Sequence, residues 1–369
     1  MDQDVPPDLS AHNTSSTPAP SPPTARPPKV SKKIWLSCLI ACILVAGGLL
    51  AWQLLSNRKQ PQSAPNTASS NTTTQTPVKP QATTIPVVSS SDLKLDPAKN
   101  YGDKYANGIL PVGDNKYVTS SPKQGYIYLC RVPQAGGGGA GSRGPWFVNN
   151  NTEYDINKKA AVAGSVSWQS AYTMTIKDNI RTIITNDLPN NHTTGIFPIQ
   201  SSDPAYAYDR NPNSIGAQSL TYTLPAYPAV QTDGCVGGEA GIMTTGVALF
   251  DGFDAGGRDA GAWEVQDGCS GHPQNTHEYH YHTLSKCIKD TNVQTVIGYA
   301  LDGFPITGPK ITDNNILTTS DLDECHGITS NIMLDGKTVT SYHYVMTEDF
   351  PYSVSCFKAQ ATQPPNHRP

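Results

Sequence analysis

The sequence predicts a mainly β domain, a disulfide-stabilised sandwich or irregular barrel with long loops, preceded by one transmembrane helix. Three observations carry that prediction. All 17 Tyr and all 7 Phe of the 369 residues lie between Tyr101 and Phe357, so only this stretch can bury a large core. Its apolar runs are short, rich in β-branched and aromatic residues, and separated by Gly, Pro, Asn and Asp clusters. No part of it sustains a 3.6-residue apolar period.

Taken in order, residues 1–33 form a Pro/Ser/Thr-rich tail expected to be disordered and cytoplasmic, ending in the basic cluster Arg26, Lys29, Lys32 and Lys33. Ile34 to Leu55 follows, 22 residues without a charge, flanked by Trp35 and Trp52. At a 1.5 Å rise per residue this run spans the roughly 30 Å hydrocarbon core, with the indoles at its two interfaces. A signal-peptide core is the competing reading, but such cores are shorter and lie nearer the N-terminus. Four basic residues precede the span and only Arg58 and Lys59 follow it, which orients the N-terminus to the cytoplasm and the large domain outside. The expected product is a single-pass membrane protein. Residues 56–98 read as a semi-extended Ser/Thr/Pro spacer, 99–360 as the extracytoplasmic domain, and 361–369 as a disordered tail.

Within the domain, strands are expected at 124–132, 165–176, 180–185, 218–224, 294–301 and 341–346, with short helices near 321–333. The sequence offers no internal repeat of solenoid type. Between residues 99 and 360, 17 Lys and Arg stand against 25 Asp and Glu, a net of −8. An acidic domain without a basic face excludes nucleic acid as a partner. A small molecule, a glycan or a protein remains open.

Of the eight cysteines, Cys38 and Cys42 fall in the apolar span and read as small apolar filler. Cys130, Cys235, Cys269, Cys287, Cys325 and Cys356 form no C-x₂-C pair, which argues against a Cys₄ zinc site and for up to three disulfides. Six cysteines allow fifteen pairings. The pairing adopted joins neighbours, so that Cys269–Cys287 and Cys325–Cys356 frame two His-Tyr segments.

Six of the nine histidines lie between His272 and His343, and the densest run is Thr276 to Thr283, THEYHYHT. On a strand, Glu278, His280 and His282 share one face, with successive same-face Cα atoms about 6.6–6.8 Å apart. Two imidazoles can then converge on one ion, with Glu278 as a third ligand or an acceptor behind them. Tyr279 and Tyr281 face the other way, into the core. Ser341 to Met346, SYHYVM, repeats the pattern; if the two segments pair, His343 completes a three-His site. The acidic knot Asp323-Glu324 beside Cys325 and His326 could orient a ligating His. Imidazole with carboxylate fits a transition metal ion (Zn, Cu, Fe or Mn). The bland alternative is a half-buried strand whose His side chains are satisfied by acidic neighbours.

These segments resemble the YHYH family, through Tyr279-His280-Tyr281-His282 and the blocks NDLPNNHTTGIFP (186–198), GIMTTGVALFD (241–251), GCSGHP (268–273), IGYALDGFPITGP (297–309) and DLDECHG (321–327). The resemblance runs from about Ser165 to Lys358 and implies a mostly secreted or surface setting without supplying a reaction. In the family the second His-Tyr segment often also ends in His; here Val345 occupies that place.

Asp251, Asp254, Asp259 and Asp267 lie in a Gly-rich stretch whose spacing matches no calcium loop, and solvated turns are expected for them. Gly136 to Gly141 satisfies G-x-G-x-x-G, but no helix pattern follows, so it reads as a loop. No P-loop, G-x-S-x-G or H-E-x-x-H occurs. Whether the domain is an enzyme stays open, as does a non-catalytic surface module binding a glycan or a protein.

Overall fold

A computed structural model of the chain describes residues 93–134 and 140–365. The expected tail, the span Ile34 to Leu55 and nearly all of the spacer lie outside the described residues, as does most of the Gly136–Gly141 run. Among the described residues no helix is long and apolar enough to cross a membrane.

The first strands make small sheets. β1 (Ile109–Pro111), β4 (Phe147–Val148) and β5 (Glu153–Asp155) form one in the order β1-β5-β4, while β2 (Tyr117–Val118) pairs with β3 (Ile127–Tyr128). The meander β6 (Tyr172–Lys177), β7 (Ile180–Thr185) and β8 (Leu220–Pro225) forms another. Its middle strand alternates buried and exposed positions, as a half-solvated antiparallel strand should.

The centre of the fold is an open eight-stranded mixed sheet. It contains β9 (Glu239–Met243), β10 (Ala248–Phe250), β11 (Gly271–Pro273), β12 (Tyr279–Tyr281), β13 (Val296–Ala300), β14 (Pro305–Thr307), β17 (Gly327–Leu334) and β18 (Lys337–Val345), with β15 (Lys310–Thr312) and β16 (Asn315–Ile316) as a separate hairpin. The strand order is β11-β12-β10-β9-β13-β14-β18-β17. The mainly β class therefore holds, but no closed barrel forms: the sheet ends in the distinct edge strands β11 and β17. Among the described residues helix is confined to α1 (Ala260–Trp263) and three 3-10 turns; one of these, Thr319–Asp321, reaches the start of the segment expected to hide helices, which is mostly β17.

The three disulfides join Cys130 to Cys235, Cys269 to Cys287 and Cys325 to Cys356, with Cα separations of 4.9, 5.1 and 4.5 Å. Neighbour pairing is the observed connectivity. The β6–β8 meander is tied to the main sheet by Arg181, fully buried, which donates to both carboxylate oxygens of Asp335 at 2.8 Å and lies 4.0 Å from the Tyr299 ring centroid.

The aspartates expected in solvated turns are buried instead. Each accepts backbone amides: Asp251 from Gly238 and Phe253, Asp254 from Gly256 and Arg258, Asp259 from Gly113 and Ala262, Asp267 from Gly195 and Cys269. A short carboxylate that satisfies several loop amides lets a Gly-rich chain be buried without orphaned donors. Burial pushes the Asp251 and Asp259 carboxyls up to about 6.

Candidate metal centre

The hairpin β11–β12 builds the site. His272 on β11 stands directly opposite His280 on β12, so both imidazoles leave the same face of the sheet. His282 follows two residues on and returns to that face. The ring centroids of His272 and His280 are 4.5 Å apart, those of His280 and His282 4.9 Å, and those of His272 and His282 5.4 Å. All three side chains are buried, and one donor nitrogen from each lies within 4.8 Å of the others.

A carboxylate completes the group. Glu264, just past α1, places Oε2 3.2 Å from Nε2 of His272 and 3.4 Å from Nε2 of His282. Nε2 of His280 is 3.1 Å from Nε2 of His282. Four donors held about 2.0–2.1 Å from one ion in a tetrahedron stand about 3.3 Å apart, and these separations bracket that figure. The backbone supplies orientation: Nδ1 of His282 donates to the Asp251 carbonyl at 2.5 Å, which leaves its Nε2 facing the cluster. Phe250 packs against His280 with ring centroids 4.4 Å apart.

The electrostatics agree with a cation site. Burial alone would raise the Glu264 carboxyl, but His272 and His282 beside it hold it down at about 2. Burial would lower His272, and Glu264 outweighs it and raises it. For His282 burial wins over Glu264, and its value falls to about 4. Glu264 and the imidazoles beside it thus favour each other's charged forms, and a metal ion could take over that balance. The cluster opens onto a cavity of about 1410 Å³ whose wall combines apolar side chains such as Phe250 and Phe253 with the carboxylates and carboxamides of Asp209, Asn211, Glu239 and Asn275.

Of the residues singled out in the sequence, His280 and His282 are brought together. His343 is not. β12 pairs with β11 and β10, β18 with β17 and β14, and five strand-to-strand steps separate the two YHY segments, roughly 24 Å at 4.8 Å per step. Nδ1 of His343 meets the Thr307 hydroxyl and its Nε2 the Ser330 hydroxyl, each at 2.9 Å. Glu278 lies in the turn before β12, where Gln274 donates to it in a short contact, and is not in the donor group. Tyr279 donates to Asp267 at 2.9 Å and Tyr281 bonds to His192 at 2.6 Å, both rings in the core. Asp323 accepts the Cys325 and Gly327 amides at 3.0 and 2.9 Å, and Glu324 pairs with Lys358 at 2.5 Å, so neither orients a ligand. His326 meets the Thr347 hydroxyl at 3.0 Å.

Two residues went unread in the sequence, His272 and Glu264. The signal for His272 was the hairpin, a Gly-His-Pro strand joined to YHYH by a five-residue turn; Glu264 carries no local signal. Two other groups of potential ligands exist among the described residues, His192 with Cys269 and Cys287, and Asp233 with Glu324 and Cys325. Their cysteines are locked in disulfides, and Lys358 neutralises Asp233 and Glu324 at 3.3 and 2.5 Å.

A family model described as YHYH protein matches residues 221–318. The chain carries a YHYH domain. No curated protein and no solved structure matches it. The matched stretch of the YHYH domain begins in β8, contains Glu264, His272, His280 and His282, and stops before β17 and β18. The whole donor group lies inside it, and His343 lies outside.

Proposed function

We propose that the YHYH domain binds one transition-metal ion through His272, His280 and His282, with Glu264 as a fourth ligand or as the carboxylate that holds His272 and His282. The observation that carries this reading is the pair of Nε2 atoms sharing one Glu264 oxygen, with the third imidazole 3.1 Å from His282. A buried carboxylate ringed by three imidazoles is otherwise expensive, because taking such charges out of water costs several kcal/mol per ion. A bound ion would supply Lewis acidity and an activated water at the cavity floor. The domain's own residues would hold the ligands, exclude bulk water and shape what enters. On this reading the domain acts outside a membrane, tethered through Ile34 to Leu55; the disulfides support an oxidising compartment.

Elemental analysis of residues 93–369, secreted through an oxidising compartment, tests the site. About one metal per chain is expected, dropping at least tenfold in His272→Ala and in the His280→Ala/His282→Ala double variant and unchanged in His343→Gln. Equal metal content in all four proteins sinks the proposal. The carboxylates and carboxamides around the cavity favour a second reading, in which it takes a polyhydroxylated ligand such as a glycan. An array of envelope polysaccharides with no signal above a cavity variant, Asp254→Ala, would dismiss it.

A further inference from the structure

The strand order of the main sheet is a palindrome. Read outward from its centre, β9-β10-β12-β11 and β13-β14-β18-β17 have the same sequence of antiparallel, parallel and antiparallel pairings. The central pair β9–β13 is antiparallel with Ile242 opposite Tyr299, as a two-fold axis through the sheet requires. Individual residues obey the same axis. A Cβ on Gly241 would strike the Tyr299 carbonyl, and one on its counterpart Gly298 would crowd the Met243 sulfur and the Ile242 carbonyl. The following turns place Gly246 at φ 89° and Gly303 at φ 88°, each donating back three residues, to Met243 and to Ala300.

The correspondence tightens toward the His-Tyr segments. Asp267 accepts the amides of Cys269 and Gly271 and the hydroxyl of Tyr279; Asp323 accepts those of Cys325 and Gly327 and the hydroxyl of Tyr342. Ser270 and His326, between each Cys and Gly, both take left-handed backbone, at φ 65° and 71°. Each unit closes with a disulfide from that Cys to one beyond its YHY strand. Two Asp-x-Cys-x-Gly motifs, two YHY strands and two disulfides thus occupy equivalent places. His343 stands where His280 stands, facing Ile328 as His280 faces His272. Val345 takes the place of His282.

We propose that the sheet is one four-stranded unit used twice, and that the second unit holds a closed counterpart of the metal centre, in which Ile328 and Val345 replace His272 and His282. The inference rests on the metal reading of the first unit. In the second unit Ile328 and Val345 pack with Val293, Leu317 and Leu322, and Leu95 and Tyr101 pack against them, where the first unit opens onto the cavity. The retained histidine, freed of its ligand partners, is held between two hydroxyls. The domain accordingly carries one functional metal centre and one latent one, and the shared Asp, Cys, Gly and Tyr residues are scaffold in both.

Reopening the second centre tests this. In Ile328→His/Val345→His/Ser330→Ala, Ser330 no longer occupies Nε2 of His343. Titration with Co²⁺, followed by its visible absorption, should rise from one equivalent per chain in the parent to two. The second equivalent should survive removal of the first centre by His272→Ala/His282→Ala. A folded variant that still takes one equivalent overturns the inference while leaving the first centre standing; a parent that takes none refutes the metal reading itself. If the grafted protein does not fold, Asp267→Ala and Asp323→Ala decide. Equivalent scaffolds require comparable drops in thermal midpoint, within about a factor of two, and a near-silent change at either position overturns the duplication.

Discussion

His343 shows how neighbours decide what a histidine does. It is buried between the hydroxyls of Thr307 and Ser330, and burial lowers its pKa to about 4. A value below the unfolded 6.5 means that the folded state prefers the neutral ring. The resulting stabilisation is fully present above about pH 6.5 and is lost as the pH falls toward 4. The gap of about 2.5 units corresponds to about 3 kcal/mol. In chelator, the stability of the protein relative to His343→Gln should therefore shrink by about 3 kcal/mol between pH 7.5 and 4, read by urea unfolding; a difference flat with pH refutes it. At this scale the sequence spoke through spacing. His280 and His282 are legible because strand geometry alone brings i and i+2 to one face. His272 joins them through a cross-strand register, which no local spacing encodes, and His343 stands apart because the two YHY strands, whose pairing was the condition for a three-His group, are not neighbours in the sheet. The buried aspartates were misread for a related reason: their partners are backbone amides, invisible in composition.

Legibility changes at the level of strands and hairpins. β7 was readable end to end and β8 and β13 nearly so, because β-branched residues and partial alternation mark them. β9 and β11 are buried at every position, and a short fully buried strand containing Gly has no alternation to read. Their glycines are structural. A Cβ on Gly271 would strike the Tyr279 ring, and one on Gly327 the Tyr342 ring. Gly271→Ala and Gly327→Ala should each cost about 1–3 kcal/mol by overpacking, measured by thermal or urea denaturation. A loss below about 0.5 kcal/mol at both sites would mean that the hairpins tolerate a wider gap than described.

Across the whole molecule, the meander β6–β8 and the tip of the β17–β18 hairpin are joined by one buried cation. Arg181 is fully buried and its guanidinium has Asp335 as its bidentate partner, so removing the acid strands a charge. Asp335→Ala should cost about 3–5 kcal/mol, and Arg181→Met with Asp335→Ala should recover much of it, since the pair's desolvation is then avoided. If the double variant is no more stable than the single one, the ion pair is not what joins these elements. The β class and disulfide framework were open to reading at this scale; of the sandwich or irregular barrel expected, no closed barrel forms, because two separate edge strands terminate the sheet. Gln360 to Pro364 form part of the cavity wall beside the imidazoles. A polyhistidine tag fused close behind Pro364 would deliver foreign imidazoles to the mouth of the site. Purification handles belong at the other terminus, or every metal count will include the handle.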